Sequence, residues 1–116
     1  MKKELFKNEI TILRDTFRRL LRRHAETNIL KLIDKTHPAD LALLFRYFNE
    51  NEQDEIFSKL KPSEKTAEFL NDLDELIGIR LLENESHDRI ASILEHASSN
   101  EQAYLIGLLD EKYASS

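Results

Sequence analysis

A chain of 116 residues is long enough for one domain with a real core and too short for two ordinary ones. Its 41% hydrophobic content with only 2 glycines and 2 prolines favours helices over a turn-rich β-sandwich, and the lack of cysteine excludes disulfides and thiolate metal sites and fits a reducing, cytoplasmic setting. The net charge of −5 is uneven: residues 1–23 hold eight Lys or Arg against three acids, a local +5, which leaves −10 on the remainder.

The first predicted helix covers residues 3–23. Phe6, Ile10, Leu13, Phe17 and Leu20 follow one another at spacings of 4, 3, 4 and 3, an a/d seam, and the basic residues lie mostly off it. No run in it is apolar enough to cross a bilayer, and the opening MKKELFKNEI lacks the apolar stretch of a secretory signal. Its end carries Arg18, Arg19, Arg22 and Arg23, which are candidate partner-binding residues. Three readings fit them: a solvated face, docking on an acidic surface (the chain's own acidic body included), or contact with anionic lipid. The acidic balance and the lack of a recognition-helix motif argue against nucleic acid. A second predicted helix, over 26–35, sets Ile29, Leu30, Leu32 and Ile33 at helical spacing.

The next segment, KTHPADLALLFRYF, opens sharply. Pro38 suits the first position of a helix, with His37 or Thr36 outside it, and Asp40 meets the unpaired amides of the first turn. Leu41, Leu44, Phe45 and Phe48 then form an apolar face, and Asn49 reads as a stop. The pattern recurs in blocks beginning at His37, Glu50, Pro62, Asp74, Ser86 and Ser98, spaced 13, 12, 12, 12 and 12 residues apart. Each opens with a polar or capping residue and continues into an apolar pair. Ser98 and Glu101 have capping-box spacing. Helices this short are not stable alone, so the repeat implies stacked single-helix units, an all-α solenoid. Phe45 and Phe57, central in successive units, are expected in the core.

Acidic clusters around Glu52, Asp74 and Glu85 fall at the corners between units, as helix-start carboxylates and solvated charge do. His24, His37, His87 and His96 lack the i, i+3 or i, i+4 spacing of a helical metal pair. Two glycines cannot make a phosphate cradle, and no nucleophile–base order is present, so the chain reads as a non-enzyme.

His37-Pro38-Ala39-Asp40-Leu41, the twelve-residue beat, Pro62-Ser63-Glu64-Lys65 and the late run Leu105-Ile106-Gly107-Leu108-Leu109 together resemble the cytoplasmic N-terminal domain of MgtE-type magnesium transporters. The resemblance covers about residues 24–112. It implies a right-handed α-superhelix over 24–112; the basic helix read from charge and spacing over 1–23 precedes it, and a tail or linker over 113–116 follows. In that family CBS domains and a transmembrane pore commonly follow, and the domain helps to close the pore at high intracellular magnesium. It therefore also implies a regulatory domain at the inner face of the cell membrane, a chain that is either one piece of a longer protein or a free-standing relative, and CBS and pore domains of the same or a partner chain as partners, with a homodimer possible. Family members carry sensing acids at the start of the last helix, in a pattern like Asp-Asp-Ala-Ala-Asp. Here the same stretch reads Asn100-Glu101-Gln102-Ala103-Tyr104. Asn100 and Glu101 are left as candidate ligands for weakly held magnesium, against the plainer reading of a capped helix start. The alternative function is a metal-independent interaction scaffold, like the helical adaptors of the flagellar motor switch.

Overall fold

A computed structural model describes residues 2–114, with side-chain surroundings for residues 8–110. These residues form α-helices and no strand: α1 (Lys2–Arg22), α2 (Glu26–Lys35), α3 (Pro38–Phe45), α4 (Glu50–Ser58), α5 (Glu64–Asp72), α6 (Glu75–Glu83), α7 (His87–Glu95) and α8 (Ser99–Ala114). The all-α expectation holds, with one long helix followed by shorter ones. α8 runs into the stretch read as a tail; residues 115–116 and the side chain of Phe6 lie outside the described residues.

The twelve-residue beat is a beat of N-caps. His37 Nδ1 accepts from the Ala39 amide at 3.1 Å, with Pro38 in the first turn. Asn49 and Glu52 form a reciprocal capping box, both bonds 2.9 Å. Ser63 accepts from Thr66, Asp74 from Leu76 and Ile77, and Ser86 from Arg89. Ser98 Oγ accepts from the Glu101 amide at 3.2 Å while Glu101 Oε1 accepts from the Ser98 amide at 2.9 Å. Each bond satisfies an amide that a helix start leaves unpaired. Two details differ from the sequence reading. Asn49 opens α4 instead of ending α3, and Pro62 stands one residue before the Ser63 cap.

Helix C-termini are closed differently. A chain with two glycines has few left-handed caps, and neither glycine has positive φ. Later helices supply donors instead. Buried Gln53 of α4 donates to Phe45 O at 2.7 Å and Phe48 O at 3.2 Å, at the end of α3. Arg89 of α7 donates to Phe57 O at 2.6 Å and Leu60 O at 2.5 Å, at the end of α4, and its guanidinium lies 4.4 Å from the Phe57 ring centre. Gln102 of α8 donates to Leu94 O at 2.9 Å. These bonds tie α4 to α3, α7 to α4 and α8 to α7, as well as satisfying the carbonyls.

The principal helix pairs are α1 with α2 and α3, α3 with α5, α5 with α7 and α8, and α6 with α8. These pairs are compatible with stacked single-helix units, each of which needs its neighbours to bury its apolar side. A line of aromatic edges runs through the core. Phe17 meets Phe48 at 5.9 Å, Phe48 meets Phe45 at 5.8 Å, Phe45 meets Phe69 at 4.8 Å, and Phe69 lies over Phe57 at 6.4 Å. Phe45 and Phe57 are buried as expected, and Phe17 brings α1 into the same core.

Candidate functional site

At the start of α8, Asn100 is exposed in the first turn, and the Glu101 carboxylate is committed to the Ser98 amide. Tyr104 is partly buried one turn on. Burial, reinforced by the nearby carboxylates of Glu75 and Asp74, raises its phenol above the ordinary range. The last helix thus meets the acidic start of α6. Asp74 there is itself a cap: its Oδ1 accepts from Leu76 at 3.0 Å and from Ile77 at 3.2 Å, and its Oδ2 lies 3.8 Å from Arg46. Magnesium demands several hard oxygens in near-octahedral order. Asn100 and Glu101 offer one amide and one carboxylate already holding a helix end, and Tyr104 is a half-buried neutral phenol. Among the described residues no group of three or more His, Asp or Glu side chains converges to hold an ion. As they stand, these positions fit magnesium poorly.

The four arginines separate into two kinds. Arg18 is drawn into the fold: its Nε donates to Glu52 Oε2 at 2.6 Å, its Nη2 to Glu52 Oε1 at 2.9 Å and to Tyr47 O at 3.3 Å. This bidentate pair holds the Glu52 carboxyl below its ordinary range and the Arg18 guanidinium above its own. Arg19, Arg22 and Arg23 are exposed and have no side-chain partner among the described residues.

A feature that the sequence did not disclose is an apolar groove of about 680 Å³ between α2, the start of α3, the α4–α5 corner and His96. Leu30, Ile33, Pro38, Leu41 and Leu60 form its floor and walls. On its rim, Lys59 pairs with Glu26 at 2.7 Å, Lys65 donates to Asp34 O at 2.9 Å, and Lys61 stands without a side-chain partner. The clue in the sequence was the width of the apolar face on α2, where Leu30 is 41% exposed beside buried Ile29.

A family model, that of the MgtE intracellular N domain, matches residues 36–116. The chain belongs to that family. No curated protein and no solved structure is significantly similar to it. The matched stretch takes in α3 to α8 whole, so the MgtE N domain proper is the part organised by the N-cap beat. This family consists of intracellular domains of transporters, not of enzymes. Among the described residues no helix is long and apolar enough to cross a membrane. The hairpin α1–α2 lies ahead of the matched stretch, and it carries the unpartnered arginines.

Proposed function

We propose that this chain is a regulatory module of an MgtE-like magnesium transporter or of a CBS-containing relative, docking on neighbouring domains at the inner face of the membrane to modulate magnesium flux. The family match over α3–α8 carries this reading. Two surface features support docking. The packed pair α6 and α8 leaves Leu76 77% exposed and Ile106 46% exposed, apolar side chains available to a neighbouring domain. Gly107, in the apolar run of α8, has open space where a side chain would stand, so another backbone can approach there. The transported ion is magnesium in this reading, and the partners are CBS and pore domains of the same or a second chain. The acidic corners would be screened by divalent cations, which lets docked surfaces approach at high magnesium and separate at low.

The test is reconstitution. The chain is added to vesicles holding an MgtE-type transporter whose own N domain has been removed. Magnesium flux is then followed at low and high magnesium on the intracellular side. Restored closure at high magnesium is expected, and flux indifferent to the added chain counts against the reading. A calorimetric titration accompanies it. The unmodified chain should bind magnesium only at about millimolar or weaker, because so few oxygens converge at α8. Asn100→Asp with Tyr104→Asp should tighten it. Micromolar binding abolished by Glu101→Gln would reveal a working sensor at Asn100 and Glu101.

The apolar groove favours a second reading: a metal-independent scaffold that takes a partner segment along α2 and the α4–α5 corner. Magnesium-independent capture of a CBS or pore fragment, lost in Leu30→Asp, would favour it.

A further inference from the structure

The described cations that lack a side-chain partner are Arg19, Arg22, Arg23, Lys31, Lys35 and Lys61. All but Lys61 belong to α1, α2 or the turn between them. Elsewhere the basic groups are mostly spent: Arg46 lies near Asp74, Arg80 on Asp54, Lys65 on Asp34. The unspent charge elsewhere is of the other sign, as at Glu50, Asp88, Glu95 and Asp110. The molecule is therefore electrically polar, with a cationic hairpin at one end of the sequence and an anionic body after it.

The outer side of α1 has a defined composition. Successive helical residues turn by about 100°, so Arg19 and Arg23 each lie within about 20° of Ile12, one on either side, with Arg22 on their flank. The Arg23 amide still donates to Arg19 O at 3.2 Å, which keeps that residue in helical register. Ile12 is 67% exposed on this line, while Ile10, Phe17 and Leu21 face the core. The acids on the exposed side of α1 are Glu9 and Asp15, and Asp15 is paired with Arg14 at 3.1 Å. Glu26, at the start of α2, is paired with Lys59.

We propose that this face is a docking surface for an anionic lipid bilayer, with Arg19, Arg22 and Arg23 meeting headgroup phosphates and carboxylates and Ile12 entering the interface. A convex helix face without a pocket offers little to a shaped protein epitope. It suits a fluid plane of negative charge, where each arginine finds its own partner. The charge polarity adds orientation. A chain of net −5 is repelled by such a surface in most poses, and the hairpin pose presents most of the unpaired cations while holding the acidic body away. This inference does not rest on the regulatory reading, since binding to lipid needs no transporter.

The test is co-sedimentation of the intact chain with vesicles of phosphatidylcholine alone or mixed with phosphatidylserine, at low and high salt. Binding to the mixed vesicles only, lost at high salt, is expected. Replacing all three arginines (Arg19→Gln, Arg22→Gln, Arg23→Gln) should weaken the partition by roughly a hundredfold, from about a fivefold contribution per charge. Those side chains touch no described partner, so the thermal transition should be unchanged, and circular dichroism checks it. Ile12→Ser should cost a smaller factor that persists as salt rises. Equal partition of the parent chain and the triple variant overturns the proposal. So does a parent chain that ignores phosphatidylserine vesicles yet is held by a polyglutamate peptide through the same arginines, which would assign the face to an acidic protein.

Discussion

The hairpin α1–α2 and the body α3–α8 meet the same difficulty, the unpaired ends of short helices, by different means. In the body every helix start carries a side-chain cap, and several helix ends are closed by donors from a later unit. In the hairpin, Ala25 precedes α2 without any side-chain cap, and α1 ends in a backbone motif with His24 at φ 53°. The body thus distributes its stability over many small local bonds repeated from unit to unit. The hairpin depends on length and on burying one apolar seam against α3. Local repetition suits a domain that keeps its shape while its surfaces are used, whereas a long helix with a free outer face suits contact with something outside the fold.

The strongest way to break this contrast is to ask whether the hairpin is a separate appendage. Phe17 is fully buried and meets Phe48, which meets Phe45. If that contact makes hairpin and body one cooperative unit, Phe17→Ala and Phe45→Ala should each cost about 3–5 kcal/mol, with a single unfolding transition. A chemical-denaturation series decides it. Two separated transitions, or a cost under about 1 kcal/mol for Phe17→Ala, would mean that the hairpin folds independently of the body.

Next in size is the capping of one unit by another. Arg89 fills two carbonyls at the end of α4, lies over Phe57 and pairs with Glu85 on its own side. Arg89→Met keeps much of the apolar contact and removes the donors, leaving Phe57 O and Leu60 O without them. A loss of about 2–3 kcal/mol is expected, well above that of an ordinary surface substitution. Hydrogen exchange should show the added opening at residues 57–60 first. Exchange there unchanged from the parent would show that water replaces the guanidinium at no cost.

The two kinds of cap also explain what was legible in the sequence. An N-cap is a local device: Ser98 and Glu101 satisfy each other within one turn, so spacing alone announces it. The unit starts, the all-helical class and the burial of Phe45 and Phe57 follow from such short-range chemistry and from helical periodicity. A C-terminal carbonyl filled by Arg89 from 32 residues away has no local signature, and a glutamine such as Gln53 reads as ordinary surface polarity until the fold buries it. The same holds at the sites. The charge of Arg18 was evident, but its partner Glu52 is brought near only by packing α1 beside the α3–α4 corner. The groove exists only once α2 and the α4–α5 corner stand apart. Asn49 misled because an asparagine can both end one helix and begin the next, and the choice depends on where α3 actually stops.

The Arg18–Glu52 pair joins the two regions and gives a pH-dependent prediction of moderate size. The folded carboxyl sits below its ordinary value, chiefly through the hydrogen bond from Arg18. A depressed folded value stabilises the fold above the unfolded pKa of about 4.3, and the contribution is lost as pH falls through the folded value. Stability differences between the parent and Glu52→Gln should therefore be about 1 kcal/mol at neutral pH and shrink in acid. Glutamine retains the reach of the N3 position, so the capping box is largely kept. A difference that stays constant down through the carboxylate range would assign the effect to packing instead of charge.

The smallest expected effect lies at the turn between α1 and α2. His24 donates its amide to Leu21 O at 3.1 Å and the Ala25 amide reaches Leu20 O at 3.1 Å, a Schellman arrangement with a non-glycine residue in the left-handed position. A Cβ there crowds the following carbonyl by about 1–2 kcal/mol, a strain that glycine lacks. Glycine gives back part of that gain, because its unfolded chain is freer. The side chain of His24 is exposed, so little packing is lost on removing it. His24→Gly should therefore raise stability by about 0.5–1 kcal/mol, read as a small upward shift of the thermal midpoint. The result sharpens the contrast between the regions. A gain shows that the hairpin keeps a strained end that the body avoids by closing its own helix ends from later units. A loss would mean that the imidazole at this corner makes a contact worth more than the strain, and the hairpin's turn would then be held by its side chain, as the body's corners are.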